Sequence, residues 1–496
     1  MFIDRREFRQ RAWRCRLLAW CLLLGLPAGL AAQSFDRARA HIRRQLVESG
    51  IPSITVAVAR EGKILWEEGF GWADRERRRP ATPHTLYSLA SISKPMTATG
   101  LMILVERGKV RLDAPADEYL GRARLTGYAG SAAEATVRRV ANHSAGLPLH
   151  VNFFYSNEPH RPPPMQETIR RYGILVTPPG EGYRYSNIGY GILDHLISQV
   201  SGRSYEDFMR EEVFVPLGLT RTSVGVGPGL EEFQAIRYGR DGLPIPFYDF
   251  DHRGASAVFA SAHDLVRFGM FHLKAGLPDQ KPVLSAASID EMQKPTASTG
   301  ERSGYGIGWM TGERGGYRTV SHGGAMGGVR NHILLVPAEG IAVVVLTNLG
   351  NHEVPGQIAN EIVSELLPSW ERRAGQSQPG AGAAAVPFRP DSALTGMWKG
   401  RLVTHAGEHP FTMEIFPSGD VHVQIGTQWK TLLNDVRFEN SRLAGRMLGD
   451  VGTEDARRGP RHIELSLKLR GGVLSGSATA ITAAANLASW LELKRD

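Results

Sequence analysis

The segment Ala374 to Pro390 is rich in glycine, alanine and proline and carries few large apolar side chains. Such a stretch cannot bury enough surface to offset the entropy of fixing its backbone, so it reads as a linker. It divides the chain into two cores, as a length of 496 residues already leads one to expect. We place the linker at residues 371–390, a first domain at 33–370 and a second at 391–496. A linker of this composition implies few contacts between the two.

Residues 1–32 read as a signal peptide. Arg5, Arg6, Arg9, Arg11, Arg14 and Arg16 precede an apolar run from Leu17 to Leu30, and Gly29, Ala31 and Ala32 supply the small residues for cleavage near Ala31 or Ala32. The segment Asp4-Arg5-Arg6-Glu7-Phe8 is also similar to a twin-arginine motif, so a Sec and a twin-arginine route both fit. The apolar run is too short and interrupted for a comfortable span, and no stable membrane span is expected after cleavage. A periplasmic or secreted protein is the expectation.

Removing residues 1–32 lowers the net charge from +8 to +4, and no basic run interleaved with aromatics remains. A nucleic-acid partner is therefore not expected. Both cysteines, Cys15 and Cys21, fall inside the signal, which leaves no disulfide, thiol nucleophile or thiolate metal site beyond it.

Asp36 to Ser49 has helical spacing, and Ile54 to Arg60 and Lys63 to Phe70 alternate as two strands across a Glu61-Gly62 turn. Ser91 to Glu106 reads as a helix, residues 110–225 as loops and helices, Gly304 to Asn348 as strands, and Glu353 to Leu367 as a last helix. An antiparallel sheet drawn from both ends of this region, flanked by helices and interrupted by a helical insertion, fits that order. The fold class is α+β. In the second domain, Phe411, Met413 and Ile415, then Val421, Val423 and Ile425, then Ile463, Leu465, Leu467 and Leu469 alternate with other residues, which predicts an all-β antiparallel barrel or sandwich.

Ser91-Ile92-Ser93-Lys94 sets a hydroxyl and an amine three residues apart, on one face of a helix. Pro95 belongs in a first helical turn, which puts Ser91 near a helix N-terminus, where free N–H groups favour a developing oxyanion. Alone, the tetrapeptide is better explained by exposed polar residues at a helix start. Its companions change that reading. Pro179-Gly180-Glu181-Gly182-Tyr183-Arg184-Tyr185-Ser186-Asn187, with Gly189-Tyr190 beyond it, resembles the Y-x-N segment of the class C β-lactamase, penicillin-binding protein and esterase family. Ser321-His322-Gly323-Gly324 resembles that family's third motif, and Asn142 to Pro148 and Gly254 to Phe268 are similar to two further segments. The resemblance covers approximately residues 36–367.

The resemblance implies a β-lactamase/transpeptidase-like fold followed by a lipocalin-like domain, and a serine hydrolase without cofactor or metal. It implies Ser91 as nucleophile, Lys94 and Tyr185 as the groups that supply the base, and the N–H groups of Ser91 and Ala325 as oxyanion hole. Asn187 would hold the substrate amide or Lys94, and Gly323 and Gly324 would let substrate approach the strand. His143 is assigned to structure. Beside Lys94, the phenol of Tyr185 is expected to lose proton affinity, the pair titrating together. Whether Lys94 or Tyr185 accepts the proton stays open at this point. No H-E-x-x-H, paired His/Asp cluster or G-x-S-x-G elbow is visible.

The partner expected is a small-molecule ester or peptide, and the sequence leaves the oligomeric state open. Many β-lactamases of the family have lysine in the third motif, where this chain has His322. An unperturbed histidine titrates near pH 6.5, so His322 is expected to hold a substrate carboxylate poorly above that pH. A carboxyl-ester hydrolase comes first, with a D-residue peptidase, DD-carboxypeptidase or weak β-lactamase as alternatives. A non-catalytic peptidoglycan-fragment binder is the rival from another class, disfavoured by the presence of Ser91, Lys94, Tyr185 and Asn187 together.

Overall fold

The computed structural model describes residues 34–372, 387–459 and 462–496; the signal peptide read at 1–32 and most of the linker read at 371–390 lie outside them. The β-branched run Ile341–Thr347 forms a strand whose seven residues are all buried. It pairs antiparallel with Ser53–Arg60 on one side and Val329–Val336 on the other, so the first and last thirds of this region close one sheet. Lys63–Asp74 follows Ser53–Arg60 across its hairpin, while Tyr317–Met326 and Met310–Arg314 extend the opposite side. These are members of a nine-stranded sheet among the described residues.

Burial on both faces requires a layer on each side. The helix Ala262–His272 packs on Ile341–Thr347 and Ser53–Arg60, and Val354–Leu366 packs on Ile341–Thr347 and Val329–Val336. The insertion contributes the helices Ser93–Glu106 and Asn187–Ser201, which pack against each other. Of their apolar residues, Leu101, Ile188, Ile192 and Leu196 are fully buried.

The described residues of 396–495 form a nearly closed antiparallel barrel-like sheet, from Gly396–Thr404 to Ala485–Arg495. The alternating side chains Phe411, Met413, Val423, Leu465 and Leu467 are buried inside it. The expected scarcity of contacts with the first region does not hold. Val151–Tyr155 joins the barrel sheet by pairing Asn152 with Ala485 and Val151 with Asn486. Arg458 donates to Asn152 Oδ1 at 3.0 Å and Phe153 O at 2.8 Å, Tyr172 donates to Asp455, and Tyr128 stacks on Trp490. Lys468 and Arg470 both reach Glu181. One apolar cluster runs from Ala57 to Leu493, because the barrel covers side chains that the helical insertion leaves uncovered.

No helix among the described residues is long and apolar enough to cross a membrane.

Candidate active site

Ser91 lies in a short 3-10 turn, Ala90–Ile92, that leads directly into the α-helix Ser93–Glu106. Pro95 falls in the first turn of that helix, as its missing N–H requires. Ala90 has φ 50°, a left-handed conformation that costs a residue with a Cβ about 1–2 kcal/mol. The surrounding packing holds this strained turn, which presents Ser91 at the surface of the insertion.

Lys94 is fully buried. Its Nζ lies 3.2 Å from Ser91 Oγ, and donates to Asn187 Oδ1 at 2.8 Å and Ala255 O at 3.1 Å. The rings of Tyr185 and Tyr190 face it with centroids at 4.7 and 5.7 Å. None of these neighbours is a carboxylate, and burial holds the Lys94 pKa well below the usual lysine range.

Asn187 opens the helix Asn187–Ser201, but Ser186 caps it, its Oγ accepting from Gly189 N–H at 3.0 Å. The Asn187 side chain is thereby left for the site: Nδ2 donates to His150 O at 2.9 Å while Oδ1 accepts from Lys94. Tyr185 is hydrogen-bonded to Ser91, yet burial pushes its phenol above the ordinary value and that bond offsets only part of the rise. The expected lowering by lysine is therefore overturned. Lys94 lies against the ring face rather than beside the hydroxyl, and burial of the phenol outweighs what lowers its pKa.

His322 is only 2% exposed. Its Nε2 accepts from Tyr305 Oη at 2.9 Å and its Nδ1 donates to Gly323 O at 2.7 Å. Burial first, then the neighbouring Lys94, lower its pKa to about 3. The expectation of a histidine titrating near neutrality is thus corrected: both nitrogens are occupied and the charged form would be desolvated. His143 packs edge-on against Tyr183 and tilted against Tyr185, Tyr190 and Tyr305, and its Nδ1 accepts from Ser186 N–H at 3.1 Å.

The strand Tyr317–Met326 pairs with Met310–Arg314 only as far as Ser321, so residues 322–326 have no strand neighbour on that side among the described residues. This free edge lies against the Ser91 turn. A Cβ on Gly324 would sit 2.1 Å from Leu89 O, so only glycine permits the approach. Gly323 precedes it, and Ala325 beyond it is exposed.

The sequence reading missed Tyr305, the carbonyls of His150 and Ala255, and a His/Asp cluster it took to be missing. Glycines flank Tyr305 in Gly304-Tyr305-Gly306-Ile307-Gly308, a signal of close packing; the carbonyls leave no mark in sequence. His150, Asp251 and His252 come together as the one group of three possible metal ligands among the described residues. Their contacts of 2.7–3.1 Å are hydrogen-bond lengths between ring nitrogens and carboxylate oxygens.

Comparison with known proteins agrees with this geometry. A family model described as Beta-lactamase matches residues 38–367. Penicillin-binding protein 4* of Bacillus subtilis is 30% identical over 297 residues, 55% of this chain; the chain spans 63% of that relative's length. A class C beta-lactamase from Rhodobacter sphaeroides superposes with a TM-score of 0.57 at 25% identity, covering 67% of this chain and 99% of its own. The octameric penicillin-binding protein homologue from Pyrococcus abyssi superposes with a TM-score of 0.60 at 22% identity, covering 93% of this chain and 100% of its own. The similarity of fold therefore extends into the barrel.

Proposed function

The chain belongs to the Beta-lactamase family, and on that premise we propose that it is a serine hydrolase, acylated at Ser91, that hydrolyses neutral carboxyl esters outside the cytoplasm. The observation that carries the reading is the set of partners around Lys94. Asn187 Oδ1 and Ala255 O can only accept, and they take two N–H bonds. A neutral amine has two N–H groups and one lone pair, so the lone pair is left facing Ser91 Oγ at 3.2 Å. Lys94 is then the base, and the raised Tyr185 phenol stays protonated as a donor.

In this mechanism Ser91 Oγ attacks the ester carbon as its proton passes to Lys94. Charge on the carbonyl oxygen is met by the N–H groups of Ser91 and Ala325. The alkoxide leaves with the proton returned through Lys94 or Tyr185, and water then cleaves the acyl-serine ester with Lys94 again as base. The neutral, fully bonded His322 supports the substrate class, since the third motif offers no cation for a substrate carboxylate. The basic N-terminal segment followed by an apolar run supports export.

A substrate panel tests the reading: a p-nitrophenyl butyrate ester, nitrocefin and a peptide ending in D-alanyl-D-alanine. We expect kcat/KM for the ester to exceed the others by roughly tenfold or more, as one absent charge contact allows. Faster turnover of the D-peptide would favour the second reading, a D-residue peptidase, which the similarity to a protein named as penicillin-binding supports.

A further inference from the structure

Resting on the reading of Lys94 as base, we propose that Asp251 is a positioning residue for Lys94, acting through the two backbone carbonyls that anchor it and Asn187. Asp251 follows the strand Tyr248–Phe250, precedes the helix Arg253–Ser256 and is only 4% exposed. His150 Nε2 lies 3.0 and 3.1 Å from its two oxygens, and His252 Nδ1 lies 2.7 Å from Oδ1. Asn152 Nδ2 donates to Oδ2 at 3.2 Å, and Thr168 Oγ1 donates at 3.4 Å. One carboxylate thus gathers donors from residues 150, 152, 168 and 252. A charge so deeply buried persists only when its lone pairs are filled, so these segments are held to one arrangement.

Two of those segments carry the anchors. His150 is in the left-handed region at φ 51°, and its carbonyl accepts from Asn187 Nδ2 at 2.9 Å. His252 precedes the helix Arg253–Ser256, within which Ala255 O accepts from Lys94 at 3.1 Å. A shift of either segment moves the acceptors that occupy the two Lys94 N–H groups, and with them the lone pair aimed at Ser91. The hold continues into the barrel, because Arg458 donates to Asn152 Oδ1 at 3.0 Å. Asp251 touches neither Ser91 nor Lys94 among its hydrogen bonds, which is why it positions rather than reacts.

The test is Asp251→Asn, assayed by the kinetics of labelling with a fluorophosphonate at saturating probe. Asparagine brings an NH2 into a ring of donors, so at least one contact must break or reverse its direction. We expect the full fraction of molecules to label, unchanged probe affinity, and an acylation rate constant lower by roughly ten- to a hundredfold. A merely structural role would lower the labelled fraction and leave the rate constant of the remainder at the wild-type value, which would overturn the proposal. Asn152→Ala, which removes one donor and leaves the carboxylate charged, covers the case in which Asp251→Asn does not fold. It should slow acylation in the same direction by roughly threefold or more, and a wild-type rate constant would contradict the proposal. An adduct of wild-type protein away from Ser91 would instead overturn the reading of the site itself.

Discussion

Tyr305 donates its phenolic hydrogen to His322 Nε2 at 2.9 Å, and this bond fixes the imidazole as an acceptor on the side where a third-motif lysine would carry charge. With the pKa of His322 lowered to about 3 by burial, the ring stays neutral across the working range. The ratio of rates on a carboxylated and a matched neutral ester should therefore stay flat from about pH 8 to about pH 6. A ratio that rises toward acid would contradict the assignment.

Lys94 should tolerate no cationic substitute. Arginine cannot lose its proton, so Lys94→Arg and Lys94→Met should both lower the acylation rate by roughly 10²- to 10⁴-fold. In wild type the rate should rise with pH and level off below the usual lysine range, because burial depresses the Lys94 pKa. Stopped-flow labelling of each variant, and of wild type across pH, measures both.

Stability should fall as the medium is acidified from about pH 7 to about pH 4. His143, His272, His322 and His332 are all held by burial below the ordinary histidine value, the last three to about 3, about 3 and about 4. Below about pH 6.5 the unfolded chain binds protons at these residues that the folded protein does not, so each histidine removes stability as the pH falls. Asp117, Asp194 and Asp264, whose carboxyls burial raises, act in the opposite sense but are fewer. Thermal denaturation across pH tests the sign; a Tm that is constant or rises toward pH 4 would contradict it.

Removing residues 391–496 should leave a protein that is insoluble or does not acylate. The deletion strips the barrel partner from Val151–Tyr155, removes Arg458 from Asn152 Oδ1 and Asp455 from the Tyr172 hydroxyl, and uncovers Tyr128. A soluble fragment that labels at the wild-type rate would contradict this.

Gly324→Ala should slow acylation by roughly a hundredfold while the protein remains folded, since its methyl meets Leu89 O and forces the strand edge away from the Ser91 turn. Labelling kinetics with a circular-dichroism check measures it.

Local pattern made much of this legible in sequence. The hairpin Ser53–Arg60 with Lys63–Asp74, the β-branched run Ile341–Thr347 and the alternation around Phe411 and Ile463 each declare a strand whose period needs no tertiary context. Ser91 and Lys94 were legible because helical spacing alone brings them together, and Tyr185, Asn187 and His322 because their motifs resemble known ones. What stayed hidden depends on folding. His150 and Asp251 are separated by 101 residues, and their carboxylate–imidazole contact exists only once Tyr248–Phe250 pairs with Val151–Tyr155. The charge state of His322 was misjudged because burial beneath Tyr305 cannot be read from a Ser-His-Gly-Gly string. The linker's composition likewise says nothing of the contacts that Arg458 and Asp455 make across it.

The most direct measurement is mass spectrometry of the protein labelled with a fluorophosphonate, with peptides mapped for wild type, Ser91→Ala and Lys94→Met. The account predicts one adduct, on Ser91, absent from Ser91→Ala and formed far more slowly in Lys94→Met. An adduct on Ser93, Ser186 or any other residue, or undiminished labelling of Ser91→Ala, would contradict it.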